Sequence, residues 1–226
     1  RMNVYINETG GVLECATDNL CGANIALAFP SVGATENIMI ASMGAKGETV
    51  IRNAAREPEI VDLADFLNSC GAKIHGAGQS VIRINPVKKL GSTEHTVIPD
   101  RIVASTFMAC AASAGGRISV GGVNAEHLSP VIPVFEAAGC EIGIKNNELV
   151  IKAPERLSRV KSVATMPYPG FPTDSQAIIM AMLSKTDGTS IISEKIFENR
   201  FRHVPELIKM GADIRVEDCC VAVVEG

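Results

Sequence analysis

The chain has 226 residues, of which 46% are hydrophobic and 20% are charged, and its net charge is −4. This length and apolar content are sufficient for one large domain or two small ones with hydrophobic cores, which excludes a disordered chain. The slightly acidic balance gives no general attraction to nucleic acid or to an acidic membrane surface. Any anionic ligand must therefore be held by local groups.

The cysteine and histidine patterns argue against a metal site. The seven cysteines lie mostly in apolar contexts without a CxxC pair, which is typical of reduced thiols in a cytoplasm. His75, His95, His127 and His203 share no metal-ligand spacing. No glycine-rich nucleotide-binding pattern occurs, and the apolar stretches are too short to span a membrane. We expect a cytoplasmic protein without metal or cofactor.

Three segments of the chain share one plan, and their leading glycines, Gly47, Gly116 and Gly188, lie roughly 70 residues apart. Before each glycine, a β-rich stretch (residues 23–29, 94–98 and 161–166) leads to an apolar helix (34–45, 101–113 and 175–185). After it come a short strand, an amphipathic helix, a second glycine and a β-hairpin. The pattern predicts three βαβαββ units in an α/β fold, each with its more apolar first helix buried inside.

The second glycine of each copy, Gly71, Gly139 or Gly211, follows the amphipathic helix. Glycine is favoured there because the residue after a helix C-terminus often has a positive φ. In the second copy, Asn146 and Asn147 predict a tight turn between the two hairpin strands. These positions fix where the helices and hairpins end.

The first helix of each copy begins at a polar cluster. Ser31-Val32-Gly33, Asp100 and Thr173-Asp174 follow soon after a proline. A helix N-terminus presents free amides, so Ser31-Val32-Gly33 is able to hold a phosphate; a plain serine N-cap fits the pattern equally well.

The segment Pro167–Pro172 contains three prolines and a glycine, and it leads directly to Thr173-Asp174. Proline restricts its own φ and the residue before it, so we expect a stiff, extended segment that aims Asp174 at a helix start. Asp174 then either caps the helix or accepts a proton from a substrate hydroxyl.

Two arginines precede amphipathic helices, Arg56 in the first copy and Arg200 in the third. The planar guanidinium suits a carboxylate or phosphate ligand. For Arg200 the alternative is a local ion pair across the loop, and beside Arg56 the acidic Glu57 and Glu59 complement the dipole at the start of the helix.

The chain resembles the enolpyruvyl transferase family at PSVGATEN, AAREPEIVDLADFLNSCGAKI, TVIPDRI, MPYPGFPTDSQ and FENRFRHVPELIKMGADI. The motifs resemble most closely those members that transfer enolpyruvyl from phosphoenolpyruvate to the 3-hydroxyl of UDP-N-acetylglucosamine in peptidoglycan synthesis. The resemblance covers essentially all residues. It implies an inside-out α/β barrel of repeated βαβαββ units, with residues 1–94 in one domain, residues 95–226 in another and the active site between them.

The resemblance also implies roles for individual residues. Ser31, Val32 and Gly33 would hold the nucleotide diphosphate, and Asp174, preceded by Thr173, would accept the proton of the sugar 3-hydroxyl. The Ile196 backbone would contact the sugar nucleotide beside Arg200. UDP-N-acetylglucosamine and phosphoenolpyruvate are the expected partners, without nucleic acid or membrane.

Several family features are absent from this sequence: a Lys-Asn pair, a loop with a reactive cysteine and a later segment with further arginines. None of the seven cysteines occupies the loop position. We therefore expect an internal fragment that lacks the remainder of a two-domain chain and turns over little or no substrate. Two alternatives stay open, namely an enolpyruvyl transferase acting on shikimate 3-phosphate and a non-catalytic module that binds a UDP-sugar.

Overall fold

The structure is a computed structural model that describes all residues from 1 to 226. The chain divides into two compact units, Arg1–Ile98 and Pro99–Gly226. The assignment of residues 1–94 and 95–226 to two domains of a longer protein stays a prediction.

The first unit contains one complete copy of the repeat after an N-terminal hairpin. Its elements are β1 (Tyr5–Thr9), β2 (Val12–Ala16), β3 (Asn24–Ala26), α1 (Val32–Ser42), β4 (Thr49–Arg52), α2 (Pro58–Ser69), β5 (Lys73–His75) and β6 (Val81–Asn85). The sheet order is β3-β4-β6-β5, in which β3 pairs with β4 in parallel and the other pairs are antiparallel. Met39, Ile51, Ile60 and Ile82 are fully buried between this sheet and its two helices.

The second compact unit contains the segments predicted as the second and third copies. Its elements are α3 (Arg101–Ala114), β7 (Arg117–Gly121), α4 (Ile132–Ala137), β8 (Glu141–Lys145), β9 (Glu148–Lys152), β10 (Leu157–Ser158), β11 (Ser162–Ala164), α5 (Gln176–Leu183), β12 (Thr186–Asp187), β13 (Thr189–Ser193), α6 (Val204–Lys209), β14 (Asp213–Glu217) and β15 (Val221–Glu225), with short 3-10 helices at Ala125–Leu128 and Thr173–Ser175. One hydrophobic core, which includes Met108, Phe135, Ile179 and Met180, joins the two copies.

The third copy repeats the topology of the first. Its sheet order is β11-β13-β15-β14, and β11 pairs with β13 in parallel as β3 does with β4. The second copy forms only the three-stranded sheet β7-β9-β8. The predicted strand at residues 94–98 is therefore wrong, because these residues pair with no strand.

Residues 94–98 contact helix α2 through a side chain instead of pairing with a strand. His95 Nε2 lies 2.9 Å from Asp62 Oδ1 on α2, and the His95 ring contacts the Phe66 ring edge to face. The segment is thus attached to a helix of the first unit through side chains. A strand ladder with β7 is not formed.

Two further expectations are corrected by the structure. The five sheets are all open, so no barrel is closed. The first helices are also not uniformly buried: most of α5 is enclosed, whereas Ile40 on α1 and Val103 and Phe107 on α3 are exposed. These apolar positions are not covered by the unit to which each helix belongs.

The predicted turns are confirmed. Gly71, Gly139 and Gly211 have φ of +101°, +93° and +98° just after α2, α4 and α6. Asn146 and Asn147 have φ of 51° and 59° between β8 and β9. None of the helices is long and apolar enough to cross a lipid bilayer.

Candidate active site

The proline-rich segment before α5 turns back on itself. The amide of Gly170 donates to the Pro167 carbonyl at 2.9 Å, and the Met166 amide donates to the Phe171 carbonyl at 2.9 Å. A side chain at Gly170 would place its Cβ 2.5 Å from the Met166 Cβ, so this turn requires glycine. The expectation of an extended segment is wrong, since backbone hydrogen bonds close the segment into a compact loop.

Asp174 lies in the short 3-10 helix before α5, but it does not cap that helix. Neither the 3-10 helix nor α5 has a side-chain cap hydrogen bond. Instead, Asp174 Oδ1 accepts a hydrogen bond from Arg200 Nη2 at 2.8 Å. The two side chains are 54% and 37% exposed, respectively, so the ion pair is accessible to a ligand. The helix-cap interpretation of Asp174 is thus wrong, whereas the ion-pair interpretation of Arg200 is confirmed.

Thr173 and Ile196 are connected through Glu194, a residue just after β13 that is only 3% exposed. Thr173 Oγ1 donates to Glu194 Oε2 at 2.9 Å. The backbone amide of Ile196 donates to Glu194 Oε1 at 2.8 Å. One buried carboxylate therefore holds the two loops that carry Thr173-Asp174 and Ile196.

Arg200 is supported by its neighbours on the second loop. Its guanidinium carbon lies 5.1 Å from the centroid of the Phe197 ring, within the range of a cation–π contact. His203 follows it, with Nε2 3.2 Å from the Met180 sulfur. Burial lowers the pKa of His203; a backbone hydrogen bond at Arg200 acts in the opposite direction, and the Arg200 charge lowers the pKa further.

Ser31, Val32 and Gly33 begin α1 in the first unit. Ser31 is the N-cap, and its Oγ accepts a hydrogen bond from the Ala34 amide at 3.3 Å. The structure therefore confirms that Ser31 caps α1. The amides of Val32 and Gly33 lie in the first helical turn, where no helical acceptor is available. Around Gly33, a Cβ would meet no atom within 4 Å, so a ligand has room to approach this backbone.

Two other sequence candidates are engaged in local contacts. Asp100 caps α3, with Oδ1 accepting from the amides of Ile102 and Val103 at 2.8 and 3.1 Å. Arg56 Nε donates to the Gly78 carbonyl at 3.2 Å. These contacts order the local backbone of each unit.

The structure thus brings four of the seven predicted site residues together in the second unit, namely Thr173, Asp174, Ile196 and Arg200. Ser31, Val32 and Gly33 belong to the first unit. Sequence reasoning missed Glu194. In the structure Glu194 continues the buried alternate positions Ser190 and Ile192 of β13, but the sequence TSIIS does not alternate between apolar and polar residues and gave no such signal.

The chain is similar over its whole length to curated bacterial proteins. A protein of Caldanaerobacter subterraneus subsp. tengcongensis named UDP-N-acetylglucosamine 1-carboxyvinyltransferase 2 is 50% identical over 226 residues, which are 100% of this chain and 54% of the relative. A protein of Symbiobacterium thermophilum named UDP-N-acetylglucosamine 1-carboxyvinyltransferase 1 is 53% identical over 226 residues, which are 51% of its length. The chain spans about half the length of the curated relatives it matches.

Solved structures share the fold at low sequence identity. The enolpyruvyl transferase NikO from Streptomyces tendae matches with a TM-score of 0.89 and 22% identity, over 100% of this chain and 56% of NikO. An EPSP synthase from Acinetobacter baumannii matches with a TM-score of 0.73 and 20% identity, over 100% of this chain and 54% of the synthase.

The sequence profile of one family extends over residues 1–226, and that family is described as EPSP synthase (3-phosphoshikimate 1-carboxyvinyltransferase). On this evidence the chain belongs to the EPSP synthase family.

Proposed function

We propose that the chain is part of an enzyme that transfers the enolpyruvyl group of phosphoenolpyruvate to the 3-hydroxyl of UDP-N-acetylglucosamine. The names of relatives at about half identity support UDP-N-acetylglucosamine as the acceptor and a carboxyvinyl group as the group transferred. The observation that carries the proposal is the accessible Asp174 carboxylate, which pairs with Arg200 at the end of a closed loop. The reaction belongs to peptidoglycan synthesis in the cytoplasm.

Asp174 accepts the proton of the sugar 3-hydroxyl. Oδ1 takes the hydrogen bond of Arg200, which leaves Oδ2 for the hydroxyl. As the proton moves to Oδ2, the hydroxyl oxygen forms a bond to the phosphate-bearing carbon C2 of phosphoenolpyruvate, and the electron pair of the C2–C3 double bond takes up a proton at C3, which gives a tetrahedral intermediate with a methyl group. Loss of a proton from that methyl group then re-forms the C2–C3 double bond as the C2–O bond to phosphate breaks and inorganic phosphate leaves. Charge developing on that intermediate is best stabilised by fixed cations and dipoles in the site.

The substrate nucleotide is held by backbone groups. The Ile196 backbone contacts the sugar nucleotide in the second unit, with its position set by the hydrogen bond to Glu194. In the first unit, the amides of Val32 and Gly33 and the hydroxyl of Ser31 hold the diphosphate, as helix N-termini hold anions in other proteins. The complete protein on this proposal contains two domains of repeated βαβαββ units.

The test is phosphate release by the complete natural polypeptide that carries this sequence. We expect phosphate to appear only when phosphoenolpyruvate and UDP-N-acetylglucosamine are both present. Release with shikimate 3-phosphate in place of the sugar nucleotide would assign the protein to the other branch of its family. Calorimetric binding of UDP-N-acetylglucosamine without any phosphate release would identify a binding module instead. The 226 residues alone are expected to release little or no phosphate.

A further inference from the structure

Glu194 is a buried acid whose carboxylate is surrounded by hydrogen-bond donors. Oε1 accepts from Thr165 Oγ1 at 2.8 Å and from the amides of Ile196 and Phe197 at 2.8 and 3.2 Å. Oε2 accepts from Thr173 Oγ1 at 2.9 Å. Burying a carboxylate is unfavourable unless its oxygens are satisfied, and here four neutral donors satisfy them.

These donors belong to different parts of the chain. Thr165 follows β11, and its hydroxyl also accepts from the Lys195 amide at 2.8 Å. Thr173 immediately precedes Asp174, whereas Ile196 and Phe197 follow β13. A carboxylate is an acceptor only, so it is able to hold all of these donors at once. No neutral side chain of similar size offers four acceptor positions and no donor.

The contacts form a closed ring around the candidate active site. From Glu194 the ring passes through Thr173 to the adjacent Asp174, and the 2.8 Å ion pair continues it to Arg200. The Arg200 guanidinium lies over the Phe197 ring, and the Phe197 amide returns to Glu194. Glu194 in this ring of contacts is buried, whereas the Asp174–Arg200 pair is about half exposed.

We propose that Glu194 is a positioning residue that fixes the Asp174 carboxylate and the Ile196 backbone relative to each other for the transfer reaction. Glu194 does not touch the reacting atoms. It acts through Thr173 on Asp174 and through the backbone amides on the loop that carries Arg200. The inference rests on the proposed function, since it assigns a role toward that same site.

The first test compares Glu194→Gln with Glu206→Gln in the complete natural polypeptide. Glutamine keeps one oxygen for the two backbone amides, and its NH2 group is able to donate to the Thr173 hydroxyl, so the fold is retained while the contact to Thr173 changes. We expect kcat to fall by about 10- to 100-fold, the range for a small misplacement of a catalytic group. The KM for phosphoenolpyruvate should stay within about 3-fold, because uniform binding is not altered. Glu206 is exposed on α6 and pairs with Lys209, so its variant should retain full activity.

A double-mutant cycle with Asp174→Asn separates positioning from a merely structural role. If Glu194 acts through Asp174, then Glu194→Gln should lower kcat little further in the Asp174→Asn background. A full second loss in that background, or a Glu194→Gln kcat within 2-fold of the wild type, would overturn the inference. An Asp174→Asn enzyme with full turnover would reject the proton-acceptor role itself, which is a failure of the proposed function.

Two variants of Thr173 provide a second test. Unlike Glu194→Gln, they place no new side-chain amide in the buried site. Thr173→Val removes the hydroxyl at nearly constant volume, and Thr173→Ser keeps it. We expect Thr173→Val to reproduce the kcat loss of Glu194→Gln and Thr173→Ser, which keeps the hydroxyl, to recover most of that loss. Equal activities of the two Thr173 variants would contradict the proposed connection between Glu194 and Asp174.

Discussion

Replacement of Asp174 by asparagine should separate catalysis from stability. The Asp174–Arg200 pair is 54% and 37% exposed, and ion pairs at such exposure contribute about 0–1 kcal/mol to the free energy of unfolding. Asparagine keeps the size of the side chain and an oxygen that Arg200 is able to bind. We therefore expect the free energy of unfolding to change by less than about 1 kcal/mol. The loss of a general base, in contrast, should lower turnover by about 10²- to 10⁴-fold.

The matched control is Asp187→Asn. Asp187 accepts a hydrogen bond from Arg156 at 3.1 Å, and both side chains are strongly exposed, so this variant removes a comparable surface pair in the same unit. Urea unfolding and phosphate release are measured for both variants of the complete polypeptide. Turnover of Asp174→Asn within 3-fold of Asp187→Asn would refute the proton-acceptor role. A loss of several kcal/mol in stability with Asp174→Asn would refute the view that the pair contributes little to folding.

Three further predictions concern stability. Ser31→Ala removes the α1 cap and should lower the free energy of unfolding by about 1 kcal/mol, while Ser31→Gly lowers it by only a few tenths; equal losses in urea titrations would contradict the cap. Gln176 is 1% exposed, and neither atom of its side-chain amide has a hydrogen-bond partner. Gln176→Met should therefore raise the free energy of unfolding by about 1–3 kcal/mol. A decrease in urea titrations would show that the amide is satisfied. Because burial lowers the pKa of His203, the unfolded chain binds a proton first as the pH falls below about 6.5, and stability should decrease there. Unfolding curves at pH 7.5 and 5.5 should show a smaller decrease for His203→Gln than for the exposed-site control His75→Gln.

Local signals in the sequence were sufficient for the turns and most of the elements. Gly71, Gly139 and Gly211 need positive φ, and this need is set by the helix end next to each glycine. The predicted strand at residues 94–98 failed for the opposite reason. Its hydrophobic pattern suits a strand, but pairing depends on partners elsewhere in the chain, and the contact of His95 with Asp62 attaches the segment to α2.

The candidate site likewise combines residues that local motifs identify with contacts that depend on distant parts of the chain. The motifs that resemble the family identify Asp174 and Arg200 as separate residues, yet the sequence does not reveal that they form an ion pair across 26 positions. Glu194 was missed because its side-chain partners Thr165 and Thr173 lie 29 and 21 positions away. A buried acid is recognised only when the donors around it are known. The sequence TSIIS of β13 does not alternate between apolar and polar residues, so it does not indicate that Glu194 is buried.

The different burial of Glu194 and the Asp174–Arg200 pair is what allows the site to be both ordered and accessible. An exposed ion pair alone is too weak to fix a carboxylate, because it contributes about 0–1 kcal/mol and competes with water. The loops that carry Asp174 and Arg200 are instead held by the buried carboxylate of Glu194, which accepts hydrogen bonds from the Thr173 hydroxyl and the Phe197 amide. Hydrogen bonds to a charged group contribute more to stability, about 1.5–3 kcal/mol each. The loops that carry Asp174 and Arg200 are thus held by buried contacts, while both side chains stay accessible to a ligand.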